Sequence, residues 1–232
     1  MRAIKKFIRR SLPFSWLARA DLVHWRRHKE DHIAALPPGQ VHNLGIDHDS
    51  YNRRDEFYRY ISETMCPDAA ITYLEFGVHE GYSILTWAGL NRHPESRFIG
   101  FDTFHGLPED WKSYRAGHFS TEGRTPQTDD ARVRFVAGLF QDTLDGALAE
   151  IPRAGRLVVH IDSDLYSAAL YVLTRLHDRL VPGTLIIFDQ WVDIHEYRAL
   201  SDYRSAYGTP FMLRATMNDA YAKVVLEVAS SS

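Results

Sequence analysis

Cysteine, long apolar runs and a dinucleotide-type glycine cluster are scarce or missing in this chain. Cys66 is the single cysteine among 232 residues, which excludes an internal disulfide and a cysteine-based metal cluster. No apolar run approaches the ~20 residues that a membrane-spanning helix requires. The pattern G-x-G-x-x-G of dinucleotide-binding proteins does not occur at the first strand–helix turn. A hydrophobic fraction of 45% nevertheless allows one sizeable core.

Positive charge is concentrated at the N-terminus. The formal net charge is −3, but nine basic and two acidic residues give the first thirty positions +7 and leave −10 to the remainder. Apolar residues such as Trp16, Leu17 and Trp25 interleave with the basic ones. This pattern favours a helix that packs on a partner subunit or on the acidic remainder, and a basic amphipathic helix on anionic lipid is the alternative. We expect a cytoplasmic homo-oligomer without a nucleic-acid partner. Peripheral contact with a membrane is the alternative prediction.

The pattern after the arm alternates short apolar runs with helical spacing. We predict an arm and linker over residues 1–50 and one domain over residues 51–232. The predicted strands are Ile71–Phe76, Arg97–Phe101, Arg132–Val136, Leu157–Asp162, Thr184–Phe188, Phe211–Thr216 and Ala222–Val228. The predicted helices around them include Arg53–Met65, Gln141–Ile151, Ser163–Leu180 and Ile194–Tyr207, and the segment His42–Tyr51 is loop-like. Such alternation predicts an α/β fold with a doubly wound, mostly parallel sheet.

A glycine turn follows the first of these predicted strands. The segment Ile71–Gly81 (ITYLEFGVHEG) indicates strand, turn and helix, the geometry that places a cofactor at a strand's carboxyl end. Asp102 follows Gly81 by twenty-one positions, close to the spacing at which an acid meets ribose hydroxyls. Because S-adenosylmethionine has no pyrophosphate to hold, the missing third glycine favours that methyl donor over NAD. A turn of this kind also opens α/β domains that bind no ligand.

Acidic residues follow the fourth and fifth predicted strands. Asp162 and Asp164 close the fourth strand, and Asp189 with Gln190 closes the fifth. Neighbouring strand ends face the same crevice, so Asp162, Asp189 and the amide oxygen of Gln190 form an all-oxygen set suited to Mg²⁺. Alternatively, an acid at a strand end caps the next helix or binds the cofactor amine.

Six segments of the chain occur together in a fixed order, namely EFGVHEGYS, FDTFHGLPEDW, GHFSTEGRTP, VAGLFQDTL, HIDSDLYSAALYVL and LVPGTLIIFDQW. Together they resemble the macrocin/mycinamicin O-methyltransferase family of class I S-adenosylmethionine-dependent methyltransferases. The resemblance runs from about Tyr51 to Tyr207 and leaves the N-terminal arm outside. It implies a Rossmann-like sheet of seven strands with a reversed last hairpin. It also implies methyl transfer to a hydroxyl of a small molecule or glycan, often a sugar, with Mg²⁺ held at Asp162 and Asp189. Gln190 stands where the family commonly has an acid.

The turn, the strand ends and the resemblance together define the candidate site. The predicted cofactor-binding residues are Glu75, Phe76, Gly77, Val78, Gly81, Ser83, Asp102, Thr103, Phe104, Gly138, Phe140 and Asp162. The predicted catalytic residues are His118, Asp162 and Asp189, and the predicted metal ligands are Asp162, Asp189 and Gln190. His118 is the candidate base because it lies in the long polar segment Thr103–Asp130, and His105 and His160 are its rivals.

Two other classes of function stay open at this point. A NAD-dependent oxidoreductase is disfavoured by the missing glycine and by the HIDSDLY and FDQW segments. A non-catalytic protein that binds cofactor, or lipid through its basic arm, is the other alternative.

Overall fold

The computed structural model describes residues 14–35, 40–46, 53–153, 155–191 and 194–230, and only the backbone of residues 14–22. The chain divides after Gln40 into two compact units, ten positions before the predicted boundary. The first unit contains helix α1, Phe14–Ala34, while the predicted arm residues 1–13 lie outside the described residues. Within the described ranges, no helix combines the length and the apolar character needed to cross a membrane.

The second unit alternates strands and helices along the chain. Its strands are β1 His42–Asn43, β2 Ile71–Phe76, β3 Arg97–Asp102, β4 Val133–Ala137, β5 Arg156–Ile161, β6 Leu185–Phe188, β7 Phe211–Thr216 and β8 Val224–Val228. Its helices are α2 Arg54–Met65, α3 Tyr82–Leu90, α4 Phe140–Glu150, α5 Tyr166–Arg175 and α6 Ile194–Tyr207, with a 3₁₀ turn at His177–Arg179.

The strands form one sheet in the order β1-β7-β8-β6-β5-β2-β3-β4. Only β8 runs antiparallel to its neighbours β6 and β7, so the last hairpin is reversed as predicted. The chain order changes direction between β5 and β2, which is where open α/β sheets bind their ligands. The predicted doubly wound, mostly parallel fold is confirmed.

The described part of the sheet has eight strands where seven were expected. The additional strand is β1, whose His42 and Asn43 pair in parallel with Ala215 and Thr216 of β7. This segment is polar and resembles a loop in sequence. Backbone pairing at the edge of a sheet requires no apolar alternation, and therefore no pattern indicated it.

Helix α5 is shorter than the predicted Ser163–Leu180. It begins at Tyr166 because the residues after β5 leave the helical conformation, with Asp164 at φ +61° and the Leu165 N–H bonded to the Ser163 carbonyl. The loop that results holds Asp162 and Asp164 at the carboxyl end of β5.

Helix α2 covers the sheet with one face. Its buried residues include Phe57, Tyr58 and Ile61, a spacing that places them on the same side of the helix. They pack in a core cluster with Trp87 of α3 and Tyr73 of β2. Every residue of β2 is buried, as expected for a central parallel strand. This packing brings the Tyr58 side chain to the ends of the central strands.

Candidate functional site

A cavity of about 560 Å³ opens at the carboxyl ends of β2, β3 and β5. Its size is within the range of small-molecule and cofactor sites. Six predicted site residues line it, namely Gly77, Asp102, Thr103, Phe140, Asp162 and Gln190. The structure therefore brings the predicted turn, the predicted ribose acid and two of the three predicted metal ligands to one cavity.

Gly77 is required by the neighbouring strand. Its φ is +95°, and a Cβ placed on it would lie 2.0 Å from the backbone oxygen of Asp162. The sequence suggested that glycine here lets the backbone approach a ligand. The geometry shows a second reason, which is that β2 and the loop after β5 meet at this point.

Asp102 binds the backbone of the glycine turn. Its Oδ2 accepts the N–H groups of Val78 and His79 at 2.7 and 2.8 Å, and its Oδ1 accepts the N–H of Phe104 at 2.8 Å. A carboxylate has about four acceptor positions, so one position on Oδ1 remains. The predicted contact with ribose hydroxyls is thus restricted to that oxygen, and the residue also fixes the two loops that border the cavity.

A buried chain of hydrogen bonds runs behind the cavity. Glu75 accepts the Tyr73 hydroxyl at 2.6 Å and the Ser83 hydroxyl at 2.9 Å. Tyr73 in turn lies 2.6 Å from Nδ1 of His160, and Nε2 of His160 lies 3.1 Å from Oδ1 of Asp189. Glu75 and His160 have no solvent exposure, and therefore these predicted residues support the site from inside the sheet.

This series of hydrogen bonds ends at Asp189, which Lys223 also contacts. The Lys223 ammonium contacts Oδ2 of Asp189 and lies 3.2 Å from the Asp189 carbonyl oxygen. Oδ1 of the same carboxylate also accepts the Tyr58 hydroxyl at 2.7 Å. Three side chains therefore donate to Asp189, two to Oδ1 and one to Oδ2.

Burial and charge shift the pKa values of this network. Burial alone would lower the pKa of His160, but its hydrogen bonds to Asp189 and Glu75 raise it to about 9. Burial would likewise lower the pKa of Lys223, and the Asp189 carboxylate raises it instead. The pKa of Asp189 stays below its usual range despite burial, because Lys223 and His160 stabilise the carboxylate. Lys223 and protonated His160 thus both favour the ionised form of Asp189.

Asp162 has a different environment from Asp189. It is half-buried at the cavity wall, and its carboxylate accepts no hydrogen bond from the residues that the structure describes. Burial and the charge of Asp189 raise its pKa, and Lys223 opposes them. Glu196 is fully buried nearby, accepts the Gln190 N–H at 2.9 Å and also has a raised pKa through burial and Asp162. Asp162 is therefore available to a ligand in the cavity.

The predicted magnesium set does not fit these contacts. Asp189 has one acceptor position left, on Oδ2 beside the Lys223 ammonium, and a divalent ion bound there would meet a like charge. Across the described ranges, no group of three His, Cys, Asp or Glu side chains is arranged to hold a metal ion. Asp162 and Gln190 line the cavity, but the second carboxylate of the set is already bound by protein cations.

The three candidate histidines differ in position. His118 is exposed, its ring stacks on Tyr114 with centroids 4.4 Å apart, and it does not line the cavity. His105 is exposed, with its ring beside Gly123. His160 is fully buried inside the sheet, where an acceptor cannot reach it. None of these three histidines lines the cavity.

Several predicted cofactor residues lie behind the cavity wall. Phe76 is fully buried and stacks on Phe101 with centroids 4.9 Å apart, and Phe104 is also buried. Val78 and Ser83 are buried as well, and Gly81 begins α3 with φ +83°. The remaining one, Gly138, follows β4 with φ +141°. These residues shape the turn, and their contact with a cofactor stays a prediction.

In the long polar segment the sequence indicated Thr103, which lines the cavity, but missed other lining residues. Trp111, Lys112, Tyr114 and Phe119 from that segment line the cavity, with the Trp111 and Tyr114 rings stacked at 5.6 Å between centroids. The sequence did not indicate a role for Lys223, because it is only a polar residue near the start of an apolar predicted strand. Its role depends on which strand β8 pairs with.

A reversed terminal hairpin on a parallel sheet, with a cavity at the switch point and an acid at the end of β3, defines a Rossmann-like α/β protein. The family follows from comparison with known proteins. Residues 74–191, half of the chain, match the family described as "Methyltransferase domain", and the chain belongs to this family.

Two relatives confirm the resemblance to the macrocin/mycinamicin O-methyltransferase family. One is the 8-demethyl-8-(2,3-dimethoxy-alpha-L-rhamnosyl)-tetracenomycin-C 4'-O-methyltransferase of Streptomyces olivaceus, 39% identical over 79 residues. The other is the mycinamicin III 3''-O-methyltransferase of Micromonospora griseorubida, 35% identical over 79 residues. The matched segment is 34% of this chain in both cases, and 29% and 30% of the relatives, respectively.

Solved structures agree on the fold. The O-methyltransferase NovP superposes with a TM-score of 0.60 at 22% identity, covering 77% of this chain and 80% of NovP. An O-methyltransferase from Bacillus cereus in complex with SAH superposes with a TM-score of 0.51 at 16% identity, covering 98% of this chain and 97% of that chain.

Proposed function

We propose that this protein transfers a methyl group from S-adenosylmethionine to a hydroxyl of a sugar-bearing small molecule or glycan. The observation that carries the proposal is the cavity at the switch point, which combines the Gly77 turn, Asp102 and the carboxylate of Asp162. The family and the names of the two relatives support O-methylation, and the rhamnosyl group in one of those names supports a sugar acceptor.

The cofactor is assigned to the side of the cavity at β2 and β3. The N–H groups of the glycine turn are directed to Asp102, and the remaining acceptor position of Asp102 suits one ribose hydroxyl. The acceptor is assigned to the side at the long polar segment, where Tyr114 and Phe119 present exposed aromatic side chains to a sugar ring.

The reaction is an in-line displacement. The acceptor oxygen forms a bond to the methyl carbon while the carbon–sulfur bond breaks. The electron pair of the broken bond stays on sulfur, which leaves the neutral thioether S-adenosylhomocysteine. The hydroxyl proton passes to Asp162, whose raised pKa makes it a better base than an ordinary carboxylate. Holding donor and acceptor in line supplies the remainder of the acceleration.

The predicted roles of His118 and Mg²⁺ are weaker in this proposal. His118 would have to turn from its stack on Tyr114 to reach an acceptor. Magnesium assistance was predicted from Asp162, Asp189 and Gln190, and the contacts of Asp189 do not support it. We therefore route no step through a metal ion.

Titration calorimetry with S-adenosylhomocysteine and NAD, followed by a transfer assay on a panel of glycosides, tests the proposal. We expect binding of the former only, and a mass gain of one methyl group on a sugar hydroxyl. Asp162→Asn should retain cofactor binding and lose transfer, while Asp110→Asn, at an exposed acid that does not line the cavity, serves as the control. Binding of NAD alone would support the oxidoreductase alternative, and cofactor binding without transfer to any acceptor would support a non-catalytic role.

The N-terminal arm is the second element of the proposal. We assign residues 1–30 to contact between copies of the chain, because the charge of +7 faces a remainder of −10 and the apolar residues between the basic ones exceed what a lipid-surface helix needs. Peripheral binding to anionic membranes is the competing assignment.

A further inference from the structure

The antiparallel register of the last strand places a lysine at the predicted metal position. Phe188 of β6 pairs with Val224 of β8, so the adjacent positions Asp189 and Lys223 lie opposite one another. Lys223 is 5% exposed and its ammonium contacts the Asp189 carboxylate. The pairing of the two strands fixes this contact, since a slip of the buried strand β8 would exchange the side chains that pack on its two faces.

The ammonium acts on both acids of the predicted metal set. It contacts Asp189 directly, and its charge also reaches Asp162. The other oxygen of Asp189 is bound by Tyr58 and His160, so the carboxylate is oriented by three donors from three different elements. Divalent cations usually supply positive charge and ligand orientation at such a pair of acids. Here protein groups supply both.

We propose that Lys223 is the resident cation of this site and that methyl transfer proceeds without a divalent metal. The proposal rests on the proposed function for its catalytic part. Lys223 is a positioning residue: it holds Asp189 and provides a fixed positive charge beside Asp162, which offsets the negative charge that develops while the acceptor oxygen loses its proton. No oxidant or further reactant is involved, and the bonds that change are those of the displacement given above.

The first test is the metal requirement of the unmodified protein. Transfer to a glycoside should be unchanged after exhaustive treatment with EDTA and unchanged on addition of Mg²⁺. Electron paramagnetic resonance with Mn²⁺ should detect no bound ion in the wild-type protein. Loss of transfer in EDTA with recovery in Mg²⁺, or Mn²⁺ binding that Asp189→Asn abolishes, would overturn the proposal.

The second test removes the charge and keeps the length of the side chain. Lys223→Met should lower the transfer rate roughly 100-fold, the scale for removing one preorganised charge partner. It should also gain Mn²⁺ binding, because Asp162 and Asp189 are then without their cation, and Asp189→Asn in the same background should remove that binding. Lys223→Arg should recover part of the rate. A Lys223→Met protein that transfers at the wild-type rate and binds no Mn²⁺ would contradict the assignment.

Circular dichroism and titration with S-adenosylhomocysteine establish whether each variant is folded. If Lys223→Met does not fold, the EDTA and Mn²⁺ measurements on the wild-type protein still decide the question. Mn²⁺ binding requires no turnover, so a failure of the proposed methyl transfer is distinguishable from a failure of the cation assignment. Absence of cofactor binding would refute the former, and a metal bound at Asp189 would refute the latter.

Discussion

His160 Nε2 lies 3.1 Å from Asp189 Oδ1, and this contact joins β5 to β6 inside the sheet. On its other side, His160 Nδ1 lies 2.6 Å from the Tyr73 hydroxyl, which donates to Glu75. An imidazolium donates from both nitrogens, so the charged form satisfies both contacts. The protonated form of His160 therefore contributes to the free energy of unfolding.

The first prediction concerns pH-dependent stability. The folded-state pKa of His160 is raised from 6.5 to about 9, so its stabilisation is fully present below about pH 6.5 and is lost as the pH rises through 9. Compared with His160→Gln, the wild-type protein should lose roughly 3 kcal/mol of unfolding free energy over this interval. Urea unfolding at several pH values measures it, with His118→Gln as a control for removal of an exposed histidine. The same pH dependence of the unfolding free energy in wild type and His160→Gln would contradict the prediction.

A second prediction separates the two roles of Asp102. Asp102→Ala should weaken S-adenosylmethionine binding by about 1.5–3 kcal/mol, the scale for a charged hydrogen-bond partner, and should also destabilise the turn because three N–H groups lose their acceptor. Asp110→Ala is the matched control, since Asp110 also accepts a backbone N–H, from Ala116, but does not line the cavity. Calorimetry should show reduced affinity only for the Asp102 variant, and equal affinity in both would place the ribose elsewhere.

A third prediction concerns Gly77. Gly77→Ala should destabilise the protein and abolish cofactor binding, because the new Cβ would lie 2.0 Å from the Asp162 backbone oxygen. Gly183→Ala is the control, since Gly183 has φ +90° and no atom within 4 Å of a Cβ. Gly183→Ala should lower the free energy of unfolding by only roughly 1–2 kcal/mol, the cost of the left-handed backbone conformation for alanine. Thermal unfolding and calorimetry compare the two, and equal losses would show that the close approach is unimportant.

The fourth prediction tests the arm. Deleting residues 1–30 should lower the particle mass measured by light scattering and leave cofactor affinity intact. A variant with the nine basic residues changed to Gln retains the apolar groups and shows whether charge is needed. Each basic residue near an anionic leaflet contributes roughly 1 kcal/mol, so a membrane arm would bind anionic vesicles in a salt-sensitive way. Such binding, with unchanged mass after deletion, would favour the membrane assignment.

Local patterns determined most of the fold. The bounds of β2, α6 and β7 agree with the sequence prediction residue for residue, because an apolar run or a helical period is complete within each segment. The glycine turn and the acid after β3 were also recognisable, since each depends on a few neighbouring positions. The shortened α5 was not, because the left-handed conformation of Asp164 leaves no trace in the apolar pattern.

Chain-local spacing encodes the order of strands and helices, the turn at Gly77 and the acids at the ends of β3, β5 and β6. The contacts that these acids make depend on tertiary packing. Asp189 and Lys223 are thirty-four positions apart and meet through the register of two antiparallel strands. Strand pairing, which no local pattern specifies, therefore determines that these two charges are buried together.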